Sequence, residues 1–105
     1  MESLLLSVGY EVRPHPSGEA FLRSGDIDAV DCLISDVGMP GMSGIELLDQ
    51  VRRGRSSLPV ILITGRREEA LSELALRKGA RHFFEKPLDI AQLISAIQAV
   101  LDGSA

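Results

Sequence analysis

The apolar residues of this chain fall into two kinds of pattern, short unbroken runs and helical stripes, and the two alternate. Cys32–Ser35 and Val60–Ile63 are continuous apolar runs, and His82–Phe84 is an aromatic one. Such runs predict parallel strands buried on both faces. Each run precedes a helical pattern. After the first comes a turn rich in Gly and Met, then Ser43 as a capping residue and Ile45, Leu47, Leu48 and Val51 on one face, closed by Gly54. The second leads into a helix over Glu68–Lys78, with Ala70, Leu71, Leu74 and Ala75 apolar and Gly79 as the stop. The third leads into Asp89–Leu101, where Leu93, Ile94, Ile97, Val100 and Leu101 form a stripe and Asp89 can cap. Strand then helix, three times over with short connections, predicts parallel βαβ units with right-handed crossovers, an α/β fold. The first thirty residues are less regular. Ser3–Val8 reads as the end of a helix stopped by Gly9, and Tyr10–Arg13 as an edge strand. Ser17–Ser24 reads as a short helix capped by Ser17, with Phe21 and Leu22 on its core face. The tail from Asp102 to Ala105 is expected to fray.

Bulk properties narrow this picture. At 105 residues the chain is one domain, spanning 1–105. With one Tyr, three Phe and no Trp, its core must be mainly Leu, Ile, Val and Ala. The net charge of −4 supplies no basic field for nucleic acid. Arg52, Arg53 and Arg55, and likewise Arg66 and Arg67, read as solvated helix ends rather than phosphate contacts. Cys32 is the only cysteine, so no disulfide forms, and its apolar neighbours make it a core thiol. No apolar run reaches the ~18 residues of a membrane span. Glu2 stands where a signal peptide carries basic residues, and a cytoplasmic location is expected. His15 and His82 lack a second ligand at metal spacing and are read as structural. Met39 and Met42 flank the Pro40–Gly41 turn and are expected to pack locally.

Candidate chemistry sits where the strands end. The first run ends at Asp36, the second at Thr64 and the third, after Glu85, at Lys86. In open α/β sheets ligands bind outside the carboxyl ends of the strands. A carboxylate, a hydroxyl and an ammonium are thereby aimed at one crevice. The carboxylate can act as nucleophile to form an acyl phosphate, while the ammonium and hydroxyl stabilise charge on the phosphoryl oxygens. Taken alone, Asp36 reads equally well as a cap or turn residue.

At these positions the sequence resembles the receiver domain of bacterial two-component response regulators. The matching stretches are Leu-Ile-Ser-Asp-Val-Gly-Met-Pro-Gly-Met-Ser-Gly at 33–44, Val-Ile-Leu-Ile-Thr-Gly at 60–65 and Gly-Ala-Arg-His-Phe-Phe-Glu-Lys-Pro at 79–87. Thr64 follows Asp36 by 28 residues and Lys86 follows it by 50, as in the family. The resemblance implies a flavodoxin-like, CheY-like doubly wound sheet. It implies Asp36 as phosphoacceptor, Lys86 as partner of the phosphoryl group, and Thr64 and Phe83 as the pair that moves with it. It further implies a cis peptide before Pro87, a Gly38 carbonyl offered with Asp36 to Mg²⁺, and a turn shaped by Met39, Pro40 and Gly44. Gly38 and Arg66 fall where the family tunes dephosphorylation.

One part of the family pattern has no counterpart. Its first strand and the acidic pair at that strand's end would precede Met1, which leaves Asp36 a weak anchor for Mg²⁺. The family's strand order, 2-1-3-4-5, makes the absent strand central. The expectation is therefore rearrangement: Tyr10–Arg13 closing directly on Cys32–Ser35, or a domain-swapped homodimer. A misplaced start codon or a degenerate receiver would each explain the gap, and the intact trio favours the former.

The function implied is phosphotransfer from a histidine kinase onto Asp36. Partner affinity would then change on the face built by the last two helices and the last strand, towards an output domain or a downstream protein. No enzyme activity, no direct nucleic-acid contact and no membrane contact are expected. The alternative is a pseudo-receiver that works as an interaction module without phosphorylation. A phosphatase of the haloacid-dehalogenase type is disfavoured, because those enzymes carry a second Asp where this chain has Gly38.

Overall fold

A computed structural model describes residues 10–38, 41–65 and 69–102. Its elements are α1 (Gly18–Ser24), a 3-10 turn (Asp26–Asp28), β1 (Leu33–Asp36), α2 (Gly44–Gly54), β2 (Val60–Thr64), α3 (Glu69–Arg77), β3 (His82–Glu85) and α4 (Ile90–Leu101). The three strands form one parallel sheet in the order β1-β2-β3. The CheY-like α/β fold expected from the resemblance is the fold observed, and the described strands lack the family's first. The expected helix Ser3–Val8 lies outside the described residues.

Local sequence explains the helix boundaries. Ser17 Oγ accepts the Ala20 amide at 3.0 Å. Ser43 and Glu46 form a reciprocal capping box at 3.2 Å in each direction, satisfying two amides that have no partner inside the helix. Asp89 accepts the Gln92 amide at 3.2 Å. Gly79, at φ +106°, follows α3 in the left-handed region that glycine adopts without strain.

The sheet separates two apolar layers. On one side Val60 and Leu62 pack with Phe21, Leu47, Leu48, Val51 and Ala75. On the other, Ile61 packs with Leu93, Ala96 and Ile97, which α4 contributes. This alternation along β2 is the period-2 geometry of a strand. In β3 it sends Phe83 to the first layer and Phe84 to the second.

Three expectations need correction. β1 and β3 were read as buried strands, yet only β2 is buried throughout. β1 buries Ser35 alone and β3 buries none of its residues, because each is paired on one edge only. Tyr10–Arg13 was expected as an edge strand, and the segment belongs to no strand and does not close on β1. Instead a groove of about 510 Å³ lies between Tyr10–Arg13 and β1. Nor are Arg52 and Arg55 solvated helix ends. Arg52 donates to the Ser56 and Leu58 carbonyls, and Arg55 Nη1 donates to Ile27 O at 2.9 Å and Val30 O at 2.6 Å. The two side chains tie the loops at the lower rim of the sheet.

Candidate functional site

At the carboxyl end of the sheet the backbone places the polar residues. The Val37 amide donates to Ile63 O at 2.8 Å, extending the β1–β2 pairing past Asp36. The Lys86 amide donates to Thr64 O, also at 2.8 Å, extending β2–β3 to Lys86. Asp36 and Lys86 thus flank the end of β2, two strand spacings or roughly 9–10 Å apart. A lysine side chain can bridge that span, and it does. Lys86 Nζ donates to Asp36 Oδ2 at 2.6 Å. Asp36 Oδ1 accepts the Gly38 amide at 3.1 Å, an Asx turn that fixes the carboxylate plane.

The donated bond from Lys86 is the main reason the Asp36 carboxyl lies below the ordinary carboxylate range. Partial burial opposes it, while the Gly38 amide and the Lys86 charge add to it. Both side chains remain accessible, Asp36 at 37% and Lys86 at 52%. A charged carboxylate reachable from solvent, with a cation held on one oxygen, is suited to nucleophilic attack on phosphorus.

Thr64 ends β2 between these two residues and is buried, 2% exposed. Gly44 opens α2 directly beneath Asp36. A Cβ there would come within 2.8 Å of both Asp36 O and Val37 Cα, so only glycine permits this close approach. The Gly44 amide closes the same turn by donating to Val37 O at 3.0 Å. Phe83 lies one strand over from β2, half-buried against the first layer. The Lys86–Pro87 peptide is cis. Met39, Pro40 and Arg66 lie outside the described residues.

Two contacts that sequence reasoning passed over tie helices to the rest of the domain. Glu19 Oε1 accepts the Met42 amide at 3.3 Å and so ties α1 to the turn after β1. Asp49 and Lys78 form an ion pair at 3.0 Å that joins α2 to the turn after α3. Both are long-range contacts between surface charges, with no local pattern to mark them. Cys32 is half-buried beside the groove, and burial pushes its thiol up to about 12, which leaves it a poor nucleophile.

The model of the response regulator receiver domain matches residues 1–98. The chain belongs to the response regulator receiver domain family. Among curated relatives, the transcriptional regulatory protein FixJ of Azorhizobium caulinodans is 41% identical over 102 residues, covering 97% of this chain and 48% of the relative. The response regulator protein TodT of Pseudomonas putida is 36% identical over 101 residues, covering 96% and 44%. The receiver chain thus spans about half the length of the curated relatives it matches. Among solved structures, the CheY-like receiver domain protein of Methanospirillum hungatei JF-1 superposes with a TM-score of 0.87 at 27% identity, covering 98% of this chain and 82% of that one. The structure of FixJ-N gives 0.84 at 34% identity, covering 96% and 81%.

Receiver domains are in general signalling modules that interact with histidine kinases and bind Mg²⁺ at the phosphorylation site. The donor set of the described residues does not by itself fit that ion. Among the described residues no group of three or more His, Cys, Asp and Glu side chains converges. Among the described residues Asp36 is the lone carboxylate at the site, with Oδ1 and Oδ2 already accepting from Gly38 and Lys86. A Mg²⁺ ion held by one such carboxylate and the Gly38 carbonyl would depend almost wholly on water and phosphate oxygens. Among the described residues no helix is long and apolar enough to cross a membrane.

Proposed function

We propose that this single receiver domain accepts a phosphoryl group on Asp36 from a histidine kinase and passes the signal on by a change of conformation. The observation that carries this reading is the 2.6 Å contact between Lys86 Nζ and Asp36 Oδ2 over the end of β2. In the reaction an Asp36 carboxylate oxygen bonds to phosphorus as the bond from phosphorus to the imidazole nitrogen of the donor breaks. The electron pair stays on that nitrogen, which takes up a proton. Lys86 then moves from carboxylate to phosphoryl oxygen, where it offsets the added negative charge.

Thr64 and Phe83 are the switch in this proposal. Thr64 bonds the phosphoryl group, Phe83 follows it inward, and the phosphorylated site favours one of two conformations. The receiving partner, an output domain or a separate protein, meets the face formed by α3, β3 and α4. Leu76 and Ile90 are accessible there, at 48% and 37%. Homodimer formation and a cytoplasmic location belong to the same proposal, as does the absence of direct nucleic-acid contact by this domain.

A second reading draws on Asp36 being the lone carboxylate at the site among the described residues. Without further acidic ligands the domain would serve as an interaction module that is never phosphorylated. Incubation with acetyl phosphate and Mg²⁺, followed by intact-mass measurement, separates the two. Phosphotransfer predicts an added phosphoryl group that hydroxylamine removes and Asp36→Asn abolishes. An unmodified chain that still binds its partner supports the second reading.

A further inference from the structure

Three successive amides lead the chain into α2, and each has a different acceptor. Met42 N donates to Glu19 Oε1 at 3.3 Å, Ser43 N to Glu46 Oε1 at 3.2 Å and Gly44 N to Val37 O at 3.0 Å. The Ser43 bond is local to α2, being half of its capping box. The Gly44 bond closes the turn onto the residue after Asp36. The Met42 bond alone reaches another helix, because Glu19 stands in the opening turn of α1.

The surroundings keep that carboxylate in place. Gly41 has φ +75°, and a Cβ there would stand 2.6 Å from Glu19 Oε2. Glycine supplies both the left-handed backbone and the room for the carboxylate. A Cβ at Gly18 would lie 3.4 Å from Met42 Sδ and 3.5 Å from the two Leu47 methyls, so the start of α1 packs closely on the residue whose amide Glu19 holds. Met42 is thus fixed by amide and side chain together, two residues before Gly44. Gly44 in turn is buried against Asp36 O and Val37 Cα. A continuous path of covalent and hydrogen bonds therefore runs from Glu19 through Met42 and Gly44 to the backbone at Asp36 and Val37. Breaking it at Glu19 frees Gly44 to stand off from Val37, which takes the Asp36 carboxylate out of line with Lys86. A reacting group is sensitive to such displacements even when their origin is distant.

We propose that Glu19 is a positioning residue for phosphoryl acceptance: through Met42 and Gly44 its carboxylate holds the turn that aims Asp36. The inference rests on Asp36 being the phosphoacceptor, and Glu19 itself touches no reacting atom.

The test compares Glu19→Ala, Glu19→Gln and Ser17→Ala in the full chain. Ser17→Ala removes the cap of α1 and leaves Glu19, so it reports what weakening the helix alone does. Hydrogen exchange of the Gly44 amide, whose own acceptor all three variants retain, is followed by NMR without any phosphoryl donor. The initial rate of phosphoryl addition from acetyl phosphate with Mg²⁺ is followed by intact mass. Glu19→Ala should speed Gly44 exchange and slow labelling, each by about three- to tenfold, the effect of one lost hydrogen bond. Glu19→Gln, which keeps an acceptor oxygen, should return both to within about twofold of wild type. Ser17→Ala should lower Tm at least as far as Glu19→Ala does, with both readouts within about twofold of wild type. Unchanged Gly44 exchange in Glu19→Ala overturns the proposal. Faster exchange with an unaltered labelling rate overturns it as well, because the hold on the turn would then have no consequence at Asp36. So does a Ser17→Ala chain that matches Glu19→Ala in both readouts, since helix stability would then be the cause. A wild-type chain that takes no label overturns the phosphoacceptor reading instead. Faster Gly44 exchange in Glu19→Ala would in that case still support the hold on the turn.

Discussion

The two edges of β1 meet different surroundings. One edge is joined to β2 in register from Leu33 to Asp36. The other faces a groove of about 510 Å³. β2, paired on both edges, is buried along its whole length, while β1 buries only Ser35. Yet the paired edge suffices to place the chemistry, because the contact between Asp36 and Lys86 passes over the end of β2 and involves no residue across the groove. Asp36 itself borders the groove, but its contact with Lys86 draws on nothing from the groove's far wall. The site depends on the junction of three strands, and the stability of the domain depends on both edges.

The largest expected effect tests that difference by the same kind of deletion on each side. Leu62→Ala, on the strand closed on both edges, should lose about 3–4 kcal/mol, through lost burial and an enclosed cavity. Ile34→Ala should lose about 1–2 kcal/mol, because its side chain already borders open space. Urea denaturation measures both, and equal losses would erase the distinction between the edges. Next comes Gly44→Ala, whose Cβ would meet the backbone at Asp36 and Val37 at 2.8 Å. A loss of about 1–3 kcal/mol is expected in thermal unfolding, with displaced NMR resonances at Asp36. Wild-type stability in this variant would mean that α2 does not press on the site.

Ser43→Ala removes one half of the capping box and should cost about 1 kcal/mol in the same thermal measurement, with Lys86 still paired to Asp36. The smallest effect concerns pH. The folded Asp36 carboxyl lies below its ordinary value, so the Lys86 pair contributes stability above the unfolded carboxylate range, and that contribution is lost as pH falls through the folded value. Because both partners are well exposed, Lys86→Met should change stability at neutral pH by less than about 1 kcal/mol. In the same variant an NMR titration should show the Asp36 carboxyl rising towards its ordinary range. An unmoved titration would assign the shift to the Gly38 amide instead.

Local pattern made most of this fold readable before any coordinates. Ser17, Ser43 and Asp89 cap the helices as their positions suggest, and the three runs become the three strands to within a residue at each end. The strand-end rule placed Asp36, Thr64 and Lys86 together, since parallel strands send their carboxyl ends to one side. What remained hidden was of longer range. Tyr10–Arg13 alternates like an edge strand, but alternation says nothing of whether a partner lies within reach, and here a groove intervenes. Arg52 and Arg55 carry the charge of solvated residues, while the fold brings carbonyls from distant loops to them. Likewise, the Glu19 contact under the turn joins residues 23 positions apart.

The most direct test of the central claim, that one paired edge positions Asp36 for phosphoryl transfer, is the mass of the intact chain after incubation with acetyl phosphate and Mg²⁺. The expected result is one added phosphoryl group, located on Asp36, labile to hydroxylamine and absent from Asp36→Asn. An unmodified wild-type chain, or an Asp36→Asn chain labelled to the same extent, would contradict it.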